Sequence, residues 1–267
     1  MIKMAILAAF YCTIITFFLS SIFYYVHAKN PGKTYGKIAA SFAVTGFVTN
    51  TMILLFRAML TGQGPFSTNV EFLTLLAWLC VLFYLVFEFS CKTQSAGFLM
   101  MFLAGVLLLF IAIVMPRGLV MVTFQPPVLK SMWLSSHVFT AVLAYGAFAL
   151  AAVVAASYLF YASKSFKGLN VKNTVYGIMV FGFIMLTVTI VLGAIWAEQA
   201  WGRYWSWDPK EIWSLITWGT YALCFHFRNS RQWSDKMAAA FAIGGFIVVL
   251  FTFFGVNFLM RGMHSYA

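Results

Sequence analysis

The sequence predicts an all-α, polytopic membrane protein: a transmembrane bundle of about eight helical spans. Three observations lead there. Of 267 residues, 63% are hydrophobic and 9% charged, with a mean hydropathy of +0.92, whereas soluble domains run about 45–50% apolar and about 25% charged. The apolar residues gather into runs near the length of about 20 helical residues that a bilayer core requires. The charges fall mostly in short stretches between those runs, where Lys and Arg set orientation. The net charge of +11 therefore belongs to membrane loops facing lipid headgroups and water, and it does not point to a nucleic-acid partner.

Eight runs qualify, near residues 4–26, 38–60, 71–90, 96–114, 133–161, 174–196, 212–227 and 238–260. The first, Met4 to Val26, is long enough to span and lacks a small-residue cleavage site, so it reads as a span and not a removable signal. The seventh is short for a crossing. Pro116, Pro126 and Pro127 make the loop before the fifth run irregular. No internal repeat or low-complexity linker divides the chain, and residues 1–267 are expected to form a single integral-membrane domain. Cys12, Cys80, Cys91 and Cys224 form no C-x-x-C pair and lie in or beside apolar segments, where they read as small packing residues.

Orientation follows from the basic residues. If the loop after the first span faces the cytoplasm, that side carries ten Lys/Arg, from Lys29 to Lys236, against seven on the other. Of those seven, Arg203 and Lys210 belong to a special segment and Arg57 lies within a span. Both termini are then extracytoplasmic.

The special segment runs from Trp196 to Trp218, WAEQAWGRYWSWDPKEIWSLITW, and is expected on that same extracytoplasmic side. It holds six of the nine tryptophans (Trp196, Trp201, Trp205, Trp207, Trp213 and Trp218) beside Glu198, Arg203, Asp208, Lys210 and Glu211. An interfacial tryptophan belt needs one or two rings per helix end. Six rings among five charges make a platform on which a planar apolar ligand can stack. Asp208, Pro209 and Glu211 fit the N-cap, first and third positions of a new helix, and Gly202 lets the backbone turn before it.

Four histidines complete the pattern. His137 sits about one turn inside the fifth span, sharing a helix face with Trp133, and His264 follows the eighth span. Both are expected on the face that carries the tryptophan segment. Two imidazoles flanking an aromatic shelf can supply both axial ligands of an iron porphyrin. His226, at the inner end of the seventh span, is either a second, inward-facing haem ligand or a cation near a helix C-terminus beside Arg228. His27 reads as a solvated helix-end residue. Arg57, near the outer end of the second span, either pairs with a haem propionate or snorkels to the interface. Arg117, Lys130 and Arg203 are further candidates for propionate contacts. Asp208 and Glu211 are read first as capping groups, and no residue reads as a nucleophile.

The stretch WGRYWSWDPKEIWSLITW closely resembles the WWD signature of the haem-handling proteins of cytochrome c maturation. Its WDPKE–W–SLITW continuation resembles the CcsA (ResC) branch, the integral-membrane half of the System II cytochrome c synthetase. The S-x-W-L-x-x-H-V stretch at His137, the Y-A-L-x-x-H-x-R stretch at His226 and the G-V-N-x-L-x-x-G-x-H-S-Y ending at His264 agree in order. The likeness is strongest over residues 131–267.

The resemblance implies haem b as bound cargo, carried through the membrane and presented outside at the WWD segment: Trp196, Trp201, Trp205, Trp207, Asp208 and Trp213. It implies His137 and His264 as the outer iron ligands and His226 as the transmembrane one. An apocytochrome c is the implied client, its C-x-x-C-H thiols forming thioethers with the haem vinyl groups. A ResB/CcsB-type membrane subunit is the implied partner, so the chain is expected to be a haem-attaching synthetase (lyase) subunit. Its membrane would be a bacterial inner membrane or a thylakoid. The alternatives are a haem transporter without the covalent step, a di-haem redox protein of the cytochrome b type, and, within the superfamily, a System I haem lyase or delivery protein.

Overall fold

An apolar run in a bilayer has no water to satisfy its backbone, so it must close its hydrogen bonds within itself. In this computed structural model every predicted run does so as a helix. The structure describes residues 1–30, 33–121, 127–161, 166, 169–228, 233–260 and 262, among which there is no strand. The long helices are α1 (Ile2–Lys29), α2 (Lys33–Thr61), α3 (Asn69–Cys91), α4 (Gly97–Val114), α5 (Met132–Tyr161), α6 (Val171–Trp201), α7 (Pro209–Phe227) and α8 (Asp235–Leu250). A π-helical turn, Phe251–Gly255, links α8 to the short α9 (Val256–Leu259). Short 3-10 turns occupy Pro116–Leu119 and Pro127–Lys130.

Among the described residues, seven helices are long and apolar enough to cross a membrane: α1 to α6, and the run Asp235–Leu259. The chain is a multi-pass membrane protein. The exception is α7, the shortest predicted run. Its 19 residues include Lys210, Glu211, Ser214, Thr217, Thr220 and His226, which dilute its apolar content. The end of α6 also differs from expectation, since that helix continues past residue 196 to Trp201.

The helices gather into two compact units. The first comprises Met1–Phe124 with Ser157–Gly168. Within it α1 packs on α2 and α4, and α3 on α4 and α2. Since lipid and leucine are equally apolar, packing and interhelical hydrogen bonds hold such helices together. Thr13 and Thr49 meet at 2.7 Å, Ser20 donates to the Ala39 carbonyl at 2.8 Å, and Trp78 donates to Thr51 at 2.8 Å. At one end, Glu88 accepts from Tyr24 and from Gln94, each at 2.6 Å.

At another point in this unit Arg57 is 2% exposed and paired with Glu71, also 2% exposed, at 2.8 Å. Its other terminal nitrogen donates to the carbonyls of Gly118 and Leu119, both at 2.6 Å. Of the two readings of Arg57, cargo contact or snorkelling, the guanidinium's surroundings favour neither. It ties the 3-10 turn at Pro116–Leu119 to α2 and α3.

The second unit comprises Gln125–Ala156 with Leu169–Ala267. Here α6 packs on α7 and α8, and α7 on α8. Phe148 of α5 stacks flat on Tyr221 of α7, centroids 3.7 Å apart. Gly182 and Gly245 leave room for those two rings. This unit contains the described part of every motif singled out between residues 131 and 262.

Candidate functional site

Local capping chemistry shapes the tryptophan segment. Gly202 ends α6 in the left-handed conformation, φ 71°, with its N–H on the Glu198 carbonyl at 2.7 Å. Asp208 then caps α7 from extended backbone, Pro209 occupies the first turn, and Glu211 completes a capping box. These are the roles expected from the sequence.

Glu211 does more than cap. Its Oε2 accepts the N–H of Ser206 at 2.8 Å and that of Asp208 at 3.1 Å, while the Ser206 hydroxyl lies 3.2 Å from Oε1. The two bonded amides bracket Trp207, which is held at φ +58°. A non-glycine residue in that region carries about 1–3 kcal/mol of strain and persists only where its surroundings over-determine it. The Trp207 ring is 67% exposed, so the strained turn presents an open indole.

The six tryptophans divide by environment. Trp196 lies inside α6, 2% exposed, edge-on to Trp201 at 4.9 Å. Trp218 donates to Thr187 at 3.0 Å and leans on Phe183. Trp213 packs on Phe251 of the π-turn at 4.2 Å, and Thr252 of that turn donates to the Trp213 carbonyl at 3.3 Å. Trp205 and Trp207 stand edge to face at 5.8 Å. Of the six, Trp207 is exposed, Trp196 buried and the other four half-buried, so the open indole surface is greatest at Trp207.

His137 is half-buried on α5, and its Nδ1 lies 2.9 Å from the Thr189 carbonyl of α6. A carbonyl only accepts, so Nδ1 carries the proton. In the neutral ring the lone pair is then on Nε2, the nitrogen that ligates a metal. The ring reaches α6 because Gly193 has no side chain: a Cβ there would lie 2.7 Å from Nδ1. The donor chemistry of His137 and the open indole of Trp207 are of the kinds an iron porphyrin takes. Among the described residues, no three His, Cys, Asp or Glu side chains gather to hold a metal ion directly.

Asp208 is buried, and the backbone of Gly262 comes against its carboxylate, so that a Cβ at 262 would lie 3.0 Å from Cγ. This brings the chain two positions before His264 to the tryptophan segment. His264 itself lies outside the described residues. Beside Asp208, Lys210 donates to Asn257 at 2.9 Å. Burial pushes the Lys210 ammonium down to about 8, with the Asp208 charge acting in the opposite sense.

The remaining candidates are dispersed. His226 is exposed near the end of α7, about 27 Å along the helix axis from Asp208 at 1.5 Å per residue. Beside it Arg228 lies over the Tyr176 ring at 4.9 Å. Lys130 and Arg203 are exposed in the second unit, while Arg57 and Arg117 belong to the first, Arg117 exposed. Sequence reasoning missed Thr189, Gly193 and Gly262. A glycine inside the apolar run TIVLGAIW was the one available signal, and nothing in the sequence marks a backbone carbonyl.

The fold defines a class: a polytopic helical membrane protein that carries His137 and the tryptophan segment in the same compact unit. Over residues 66–264 the chain matches the cytochrome C assembly protein family. It is 34% identical to the cytochrome c biogenesis protein CcsA of Prochlorococcus marinus strain MIT 9515, over 80% of this chain and 78% of that protein. It is 31% identical to the CcsA protein of Guillardia theta, over 95% and 94% of the two. This chain belongs to the cytochrome c assembly family. A solved structure, the cytochrome c heme lyase CcmF, superposes with a TM-score of 0.78 at 14% identity, over 98% of this chain. The chain spans about half, 48%, of that larger protein, and the likeness is one of fold.

Proposed function

We propose that this chain presents haem b on the extracytoplasmic side of its membrane for covalent attachment to apocytochrome c, working with a ResB/CcsB-type membrane subunit. The observation that carries the reading is His137, whose Nδ1–H is donated to the Thr189 carbonyl, which makes Nε2 the nitrogen that bears the lone pair in the neutral ring. The approach of Gly262 to Asp208 supports a role for the chain's last residues beside the tryptophan segment. The curated relatives share a name in cytochrome c biogenesis, which supports the pathway.

In this reading His137 and His264 hold the iron from both faces, and the Trp205–Trp207 pair receives the porphyrin edge. Two neutral imidazoles saturate the iron and suppress oxygen chemistry. Each apocytochrome thiol adds across one vinyl group: a C–S bond and a C–H bond form, and the S–H bond and the vinyl π bond are lost. The reaction needs no net oxidant. The protein's share is positioning, holding a vinyl carbon where sulfur can reach it. The C-x-x-C-H histidine of the client then displaces one protein ligand, and the product leaves. Exposed His226 serves the inner haem site, its second ligand supplied by the partner.

The test is coexpression of the chain, its partner and an apocytochrome c. Holocytochrome with covalent haem is expected from wild type and is lost in His137→Ala and His264→Ala. Full haem spectra and attachment in those variants would refute the outer site. Haem carried by the chain with no covalent product would instead make it a transporter. His226→Ala is expected to lower haem content without altering the fold.

A further inference from the structure

We infer that the Thr189 carbonyl and the bare position at Gly193 form a positioning device for His137, selecting Nε2 as the iron-facing nitrogen and strengthening it as a donor. The inference rests on the reading of His137 as an iron ligand.

The geometry is specific. Gly193 lies four residues after Thr189 in α6, so its N–H is the regular helical donor to the Thr189 oxygen. A carbonyl has a second lone pair, which a group from another helix can reach only where the side chains around it leave room. At this level the obstructing group would be a Cβ at residue 193, which would stand 2.7 Å from Nδ1 and 2.8 Å from Cε1 of His137. Real Cβ atoms do not approach so closely. Glycine opens the second lone pair, and His137 takes it at 2.9 Å. Glycine within a helix costs roughly 0.5–1 kcal/mol relative to alanine, and here that cost has a geometric return.

The level of the ring is set by a second tie. The Thr189 hydroxyl donates to Thr140 Oγ1 at 3.0 Å, and Thr140 Oγ1 lies 3.0 Å from the His137 carbonyl. The turn of α5 that carries the imidazole is thereby fastened to the turn of α6 that receives its proton. A ligating histidine whose other N–H is held by a carbonyl has a fixed tautomer, a fixed ring plane and a more basic ligating nitrogen. Gly193 and Thr189 are positioning residues that act through His137.

The experiment uses the full chain coexpressed with its partner, and compares wild type, Gly193→Ala, His137→Gly and the double variant. Readouts are haem content, absorption spectrum and haem midpoint potential, with free imidazole added to the two His137→Gly chains. Gly193→Ala is expected to weaken haem binding by about 10–100-fold, and to raise the midpoint potential of what remains, because a less basic imidazole stabilises ferric iron less. Imidazole is expected to restore haem equally to His137→Gly and to the double variant, since Gly193 acts only through the missing ring. Thr189→Val, which keeps the carbonyl, is expected to have a smaller effect. The inference is overturned if Gly193→Ala keeps the wild-type haem content and potential. It is also overturned if imidazole restores His137→Gly but not the double variant, which would make Gly193 a residue of the fold alone. Full haem in His137→Gly without imidazole would instead defeat the ligand reading itself.

Discussion

The carboxylate of Glu211 accepts the backbone N–H of Ser206 at 2.8 Å, across five residues of chain. With the matching bond from Asp208, this contact holds the turn that presents Trp207. Removing the acceptor strands two backbone donors and frees the strained residue between them. Glu211→Ala is expected to lower stability by about 1–3 kcal/mol and to reduce attachment severely. Glu211→Gln, which retains one acceptor oxygen, should fall between. Thermal unfolding in detergent and holocytochrome yield measure the two effects.

Trp207 separates stability from function. Its φ of +58° is unfavourable for an indole and free for glycine, and its exposed ring loses little packing on removal. Trp207→Gly is expected to leave the melting temperature unchanged or raise it, by about 1 kcal/mol in stability, while haem content and attachment fall. A large loss of stability would mean that the ring is a packing element.

The Arg57–Glu71 pair is buried on both sides, so breaking it is costly while replacing it is less so. Arg57→Ala leaves a buried carboxylate without its cation, holding only the Ser67 N–H at 3.1 Å, and is expected to cost about 3–5 kcal/mol. The double change Arg57→Met, Glu71→Leu should recover much of that loss and retain haem attachment. A folded double variant without haem would identify Arg57 as a cargo contact.

Lys210 predicts a pH dependence. Its folded value, about 8, lies below its ordinary 10.5, so across that interval the unfolded chain keeps a proton that the folded chain has released. Stability therefore rises with pH from about 8 to 10.5. Below that window it is flat with respect to this group, and the buried ammonium opposes folding. Lys210→Met is expected to remove the rise, as read from melting temperature against pH.

Much of the architecture was readable from apolar run length, because a bilayer imposes one length on every crossing helix. All eight runs became helices, and the cap at Asp208, Pro209 and Glu211 and the turn at Gly202 followed from chemistry between residues a few positions apart. The limits of α6 were less readable: a helix need not stop where hydrocarbon does, and its extra turns bury Trp196.

Residue types and local spacing thus established a membrane-embedded helical chain, its family resemblance, and the segment and histidines on which function was expected to rest. The packed fold supplied what no spacing encodes. It paired Arg57 with Glu71 across 14 positions, seated His137 on a carbonyl 52 positions away, and brought Gly262 onto Asp208. Such partners depend on which helices lie side by side and at what height, and a backbone carbonyl or a missing Cβ acquires meaning only once another helix is packed against it.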